Sequence, residues 1–147
     1  IPGASEFEYP APTHSRDDVW LKDFLLTNPD GKLTISDRLW RGHIERKERN
    51  LKAGKGFGYQ SFNPATAKYV STISARYYKD GSEALIEQPG KNPRKLAPEE
   101  IKLLQGFPQS FILHPTSVEA YRQLGNAVPV KVIEAIANKL SPFLKEK

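Results

Sequence analysis

The sequence predicts an α+β protein: a small domain holding a basic helix and a β-hairpin, followed by a C-terminal set of helices. Three observations carry this expectation. Residues 33–54, "LTISDRLWRGHIERKERNLKAG", have helical periodicity with a capping residue near their start and a glycine at their end. Residues 69–88, "YVSTISARYYKDGSEALIEQ", are rich in Val, Thr, Ile and Tyr and are interrupted by Asp80-Gly81, a strong hairpin signal. From Leu96 the pattern turns helical and remains so.

The elements follow in order. Residues 1–15 hold three prolines and no period, so they read as an extended opening segment, with Phe7 and Tyr9 at strand spacing. Residues 18–26 place Trp20 and Phe24 at helical spacing, and "NPDGK" (28–32) supplies the turn that ends that short helix. In the basic helix, Thr34 or Ser36 can cap the start, since a side-chain oxygen there satisfies an orphan backbone N–H. Trp40, Ile44 and Leu51 form one narrow apolar stripe, and Gly54 is placed to stop the helix. Glu45 with Arg49 and Glu48 with Lys52 are spaced as i,i+4 pairs. A glycine-rich loop, "GKGFGY" (54–59), comes next. The hairpin is expected to run through "ARYYK", turn at Asp80-Gly81 and return through "EALIE", with "PGKNPRK" (89–95) as a linker. Tyr77 and Tyr78, as strand neighbours, face opposite ways, so one of them belongs to the core.

"APEEIKLLQGF" begins a helix with Pro98 in its first turn, Glu99 and Glu100 at the positive end of the dipole, and Gly106 as terminator. Residues 130–147 line up Val132, Ile133, Ile136, Ala137, Leu140, Phe143 and Leu144 on one stripe, and Pro142 suggests an end or restart near Leu140. The divisions expected are thus 1–15, 16–95 and 96–147.

Composition narrows the function classes. The 147 residues include no cysteine, so this chain holds no disulfide, thiolate metal site or cysteine nucleophile. His14, His43 and His114 are too scattered for a ligand set. No run approaches the roughly 18 apolar residues of a membrane span, and no signal peptide is evident at the start, so a soluble intracellular protein is expected. The net charge of +5 favours a polyanionic partner. Most of it is concentrated: residues 36–59 carry seven basic side chains against three acidic ones. Such a run is either a solvated helix face or a surface laid along a phosphate backbone.

Two peptides then add a family resemblance. "NPRKLAPEEIKLLQGFP" (92–108) resembles the ninth conserved motif of bacterial DNA (cytosine-5)-methyltransferases, and "AYRQLGNAVPVKVIEAIA" (120–137) is similar to their tenth. Residues 39–62 and 72–88 resemble the recognition region of the subgroup acting on CCGG, CCNGG or CCWGG sites. Ala97-Pro98-Glu99-Glu100 departs from the frequent Thr-Pro-Arg-Glu, losing a cap worth about 1 kcal/mol. The family's attacking thiolate, in a Pro-Cys-Gln loop, has no counterpart here, because such an attack needs cysteine.

The resemblance implies a target-recognition domain over 16–95 and a C-terminal helical segment over 96–147 that completes a Rossmann-like methyltransferase domain. It implies double-stranded DNA and a larger catalytic subunit, or an N-terminal catalytic region, as partners. No membrane is expected, and the location would be the bacterial cytoplasm, in association with the nucleoid. S-adenosylmethionine would bind in a site shared with that larger partner. The DNA-binding candidates are Arg41, Arg46, Lys55, Gly56, Phe57, Gly58, Tyr59, Thr72, Ile73, Ser74, Arg76, Tyr77 and Lys79. Arg76 suits guanine, because its fork can donate to O6 and N7 together, but it suits a phosphate or a cross-strand ion pair equally. Asn126, Ala127 and Val128 are the cofactor-facing candidates, with Gly125-Asn126 also able to cap the last helix. Arg94, Gln105, Gly106, Phe107 and Pro108 are expected to be architectural, and no residue of this chain is expected to be catalytic. The other reading is a stand-alone DNA-binding protein without catalysis.

Overall fold

The computed structural model describes residues 7–12 and 19–144. The remainder of the opening segment, with His14 and Asp18, and the last three residues lie outside the described residues. Helix α1 spans Asp37–Lys52. Ser36 caps it by accepting from Leu39 N, and Gly54 follows at φ 66°, the left-handed conformation that closes helices at low cost. Both ends are therefore those expected from the sequence. The expected Trp20 helix is only a 3-10 turn, Leu21–Phe24, with Leu21 buried.

The sheet has three short strands in the order β1 (Ser61–Phe62), β2 (Leu85–Gln88), β3 (Lys91–Lys95). β1 runs parallel to β2, pairing Ser61 with Leu85. β2 and β3 form the only hairpin among the described strands, pairing Ile86 with Arg94. It turns at Pro89-Gly90, with Gly90 at φ 64°. On the far side of β3, Thr34 bridges to Arg94 and Ile35 N donates to Pro93 O at 3.1 Å.

The hairpin expected at Asp80-Gly81 is therefore displaced. Gly81 does turn, at φ 66°, but residues 75–80 enter it as consecutive tight turns rather than as a strand. The cause is Tyr77. Its ring is fully buried, and its hydroxyl donates to Ala84 O at 2.6 Å while accepting from Leu96 N at 2.8 Å. The chain coils around that anchor, with Tyr77 N donating to Ser74 O and Gly81 N to Tyr77 O. The supposed linker 89–95 is in turn the hairpin's bend and β3.

Helix α2 (Pro98–Leu104) and helix α3 (Ser117–Asn126) pack against each other, and α2 also meets the 3-10 turn Leu21–Phe24. The core cluster joins Leu21, Ile73, Tyr77, Ala84 and Ile86 to Leu96, Ile101, Tyr121 and Leu124, drawing on both sides of residue 95. Tyr121 donates to Leu96 O at 2.7 Å, so two buried tyrosines satisfy both backbone groups of Leu96. Burial pushes both phenols far above their ordinary pKa, which keeps them protonated as donors.

Helix α4 (Val130–Leu144) differs from the others, since none of its residues is buried. It continues through Pro142 instead of ending near Leu140. The proline lies one turn from the helix's end, where the bond its missing N–H forfeits leaves little helix to disrupt.

Candidate nucleic-acid interface

The basic helix buries a polar face. Its buried residue is His43, whereas Leu51 of the expected stripe is 67% exposed. His43 Nε2 lies 3.1 Å from Asp80 O, and Arg46 Nη2 lies 2.8 Å from His43 Nδ1. Arg46 also donates to Gly58 O at 3.2 Å and pairs with Asp80 Oδ2 at 3.2 Å. This pair, rather than Glu45–Arg49 or Glu48–Lys52, is the ion pair α1 makes among the described residues. Burial lowers the His43 pKa, a trend the Arg46 charge reinforces and Asp80 opposes. For Asp80, burial alone would raise the pKa, but hydrogen bonds from Ser82 and the Arg46 guanidinium bring it below the usual range.

The loop 54–59 is strapped to this helix. Asn50 Nδ2 donates to Phe57 O, and Lys55 N donates to Asn50 O at 2.8 Å. Gly58 is buried so close to α1 that a Cβ would sit 2.6 Å from the Lys47 Cβ and 2.7 Å from its Cα, so only glycine fits without movement. Tyr59 turns inward, edge-on to Trp40 at 4.8 Å and beneath Lys47 Nζ at 4.4 Å. Of this loop, Lys55, Gly56 and Phe57 remain on the surface, with Phe57 51% exposed.

Three candidates are thereby corrected. Tyr59 and Gly58 are packed against the helix, and the half-buried Arg46 has its guanidinium engaged by His43, Gly58 and Asp80, so none of the three is a free outward DNA ligand. Arg41 stays exposed on α1. In the second tract, Ile73 and Tyr77 are core residues, which removes both as groove contacts. Ser74 donates to Glu83 Oε1 and accepts from Arg76 N, so its hydroxyl shapes the turn. Thr72, Arg76 and Lys79 are the exposed members of that tract.

The two glycine–proline peptides are placed by buried polar contacts. Arg94 meets Glu100 through two bonds, Nη1 to Oε2 at 2.7 Å and Nη2 to Oε1 at 2.8 Å, with both side chains buried. Glu100 also accepts from Ala97 N at 2.7 Å and from Leu26 N at 2.8 Å. Glu100 thus satisfies the N-cap backbone of α2 where Ala97 offers no capping oxygen. Gln105 donates to Leu124 O at 2.8 Å, Gly106 adopts φ 77°, and Phe107 packs on Phe111 at 4.7 Å. Pro108 is exposed and its carbonyl accepts from Phe111 N.

Gly125 is the residue that reading from sequence undervalued. It sits inside α3, and a Cβ there would lie 2.4 Å from Ser74 C and O and from Ala75 N. The helix thus presses directly on the backbone of the 72–79 tract, a contact between residues fifty positions apart that no local pattern signals. Next to it, Asn126 and Val128 are exposed and Ala127 half-buried. These three residues line none of the concavities around Leu26–Tyr121, α1, Trp40–Pro93, the 54–59 loop or Asn63–Pro89. No cluster of metal-ligating side chains occurs among the described residues.

Comparison with known proteins accords with this layout. Residues 2–142 match the family model described as C-5 cytosine-specific DNA methylase. The Type II methyltransferase M.NlaX of Neisseria lactamica is 55% identical over 139 residues, covering 95% of this chain and 44% of that protein. The Type II methyltransferase M1.ScrFI of Lactococcus lactis subsp. cremoris is 49% identical over 146 residues, covering 99% of this chain and 37% of that one. The chain therefore spans less than half the length of these relatives. Among solved structures, the Entamoeba histolytica methyltransferase EhMeth superposes with a TM-score of 0.69 at 22% identity, covering 99% of this chain and 46% of the other, a likeness of fold.

Proposed function

The chain belongs to the C-5 cytosine-specific DNA methylase family, and from that premise we propose that it is the target-reading portion of such an enzyme, acting together with a body that carries the catalytic cysteine. One observation carries this reading. No residue of helix α4 is fully buried, and Val132 is 51%, Ile133 48%, Leu140 36% and Leu144 67% exposed on a helix that begins two residues after Asn126–Val128. An apolar helix face left bare in this way is the mark of a surface that meets another protein body. A stand-alone DNA-binding protein would have no use for it.

In this reading the chain's own residues bind and orient. The exposed Arg41, Lys55, Arg76 and Lys79 are the cations that hold the duplex, and Phe57 and Thr72 are exposed on the same two loops as Lys55 and Arg76. Asn126, Ala127 and Val128 supply one edge of an S-adenosylmethionine site, the methyl donor, whose remainder belongs to the catalytic body. No helix among the described residues is long and apolar enough to cross a membrane. The test is complementation. The chain is mixed with a family member truncated before its recognition region but retaining its cysteine loop, and transfer of labelled methyl groups to duplex DNA is measured. Activity that needs both parts supports the reading. Its absence across a series of matched partners, with both parts folded, overturns it.

A further inference from the structure

Arg46 holds three segments at once. Its guanidinium bonds to His43 on α1, to Gly58 O of the glycine loop and to Asp80 of the turn at 75–81. Two of those segments are the ones that expose cations: Lys55 on the first, Arg76 and Lys79 on the second. His43 closes the arrangement from the other side, with Nε2 at 3.1 Å from Asp80 O. We infer that Arg46 and His43 form a proton-sensitive clamp that fixes the spacing of the two loops, acting as positioning residues without touching DNA. The consequence for DNA rests on the function proposed above; the clamp itself does not.

The hydrogen-bond pattern dictates the protonation state. A carbonyl oxygen can only accept, so Nε2 carries the proton it gives to Asp80 O. A guanidinium can only donate, so Nδ1 must present its lone pair to Arg46. The ring is thus held as a single neutral tautomer. A second proton on Nδ1 would face an Arg46 N–H across 2.8 Å, donor against donor and cation against cation. Arg46 would have to withdraw, and its contacts with Gly58 and Asp80 would go with it. The groups facing His43 are Arg46 from its own helix, Asp80 from the turn and the Tyr59 ring from the loop, at 6.1 Å. Lys95 of β3 feels the same Asp80 charge. One carboxylate therefore offsets one guanidinium, and burial further disfavours a charged imidazole.

The direction of the effect separates this clamp from plain electrostatics. Acidification adds positive charge to a chain already at +5, which by itself tightens binding to a polyanion. The clamp predicts the reverse. Fluorescence anisotropy of a labelled duplex with the full chain, at constant salt, should show affinity falling between about pH 7.5 and about pH 5.5, by less than about tenfold because the His43 pKa lies below its ordinary value. His43→Gln keeps a donor and an acceptor but does not titrate, so its affinity ratio between the two pH values should not fall. Arg46→Lys keeps the charge but not the fork, and should bind weakly at both; a direct phosphate contact would be largely retained by lysine. Tightening of the wild type on acidification, a parallel fall in His43→Gln, or wild-type binding by Arg46→Lys overturns the inference.

If the wild type binds no duplex at the higher pH, the DNA-reading function fails, and amide spectra decide the clamp separately. In a proton–nitrogen NMR titration, the amides of Gly58, Asp80 and Gly81 should move together with the midpoint of the His43 ring. Amides that stay fixed while the ring titrates remove the clamp.

Discussion

Replacing Arg94 with methionine removes one partner of a buried ion pair and leaves Glu100 charged, with only Ala97 N and Leu26 N to hold it. Breaking a buried pair in this way costs about 3–5 kcal/mol, against less than about 1 kcal/mol for an exposed one. With a urea dependence of about 2 kcal/mol per molar, the midpoint should fall by roughly 2 M. The geometry also sets the outcome of the double variant. Each Glu100 oxygen accepts one guanidinium N–H and one backbone N–H, Leu26 N on Oε1 and Ala97 N on Oε2. In Arg94→Met/Glu100→Gln the charge is gone, but the amide NH2 must face one of the two backbone donors, stranding it at about 1–3 kcal/mol. The double variant should therefore lose less than the sum of its singles, by about 2 kcal/mol or more. Urea unfolding followed by Trp20 and Trp40 fluorescence measures all four proteins. A cost below about 1 kcal/mol for Arg94→Met, or strict additivity, would refute the view that this pair ties β3 to α2 and to the segment after the first 3-10 turn.

The other expectations concern single sites. Gly125→Ala should destabilise by about 1–3 kcal/mol, because a Cβ would meet Ser74 and Ala75 backbone; helix propensity alone predicts a gain of about 1 kcal/mol, so the sign of the midpoint shift decides. Because the His43 pKa is lowered on folding from an ordinary 6.5, its stabilising contribution is complete above that value. It is lost as pH falls and the unfolded chain takes up the proton, so melting curves between about pH 7.5 and 5 should drop in the wild type more than in His43→Gln. Arg76→Ala should weaken duplex binding by about 1–3 kcal/mol and relax preference at one base pair if its fork meets guanine. A uniform loss across sequences, with a salt slope reduced by about 0.9, marks a phosphate contact instead.

Those parts of the fold governed by local chemistry were legible. Ser36 and Gly54 bound α1 because a hydroxyl before a helix and a left-handed residue after it satisfy orphan backbone groups regardless of what packs nearby. What failed was inference from residue polarity to burial. His43 goes in and Leu51 out because α1 docks through a polar cluster beside the half-buried Trp40 and Ile44, and the stripe does not extend to Leu51. "KNPRK" reads as a linker because a strand whose central arginine is buried only makes sense once Glu100 is seen beneath it. At the candidate interface, Lys55, Arg76 and Lys79 are exposed, as cations meeting a polyanion must be. Tyr77 could not be separated from Tyr78 by pattern alone, since the tract is a series of turns and has no alternating faces.

The distribution of glycines gives these pieces a common logic. Gly58 and Gly125 are the described glycines at which an added Cβ would run into neighbouring backbone within 3 Å, whereas at Gly81 it would meet the Lys95 side chain; each of the two lies where a loop of the candidate interface is pressed onto a helix. Gly58 sets the cationic loop against α1, and Gly125 sets α3 against the start of the 74–80 turns. Gly125 also immediately precedes Asn126, Ala127 and Val128 in the chain. At Gly125 the 74–80 turns meet backbone rather than a flexible side chain of α3. The peptide "QLGNAVP" thus joins the 74–80 turns to Asn126, Ala127 and Val128 through one close backbone contact, and that contact exists only because position 125 has no side chain.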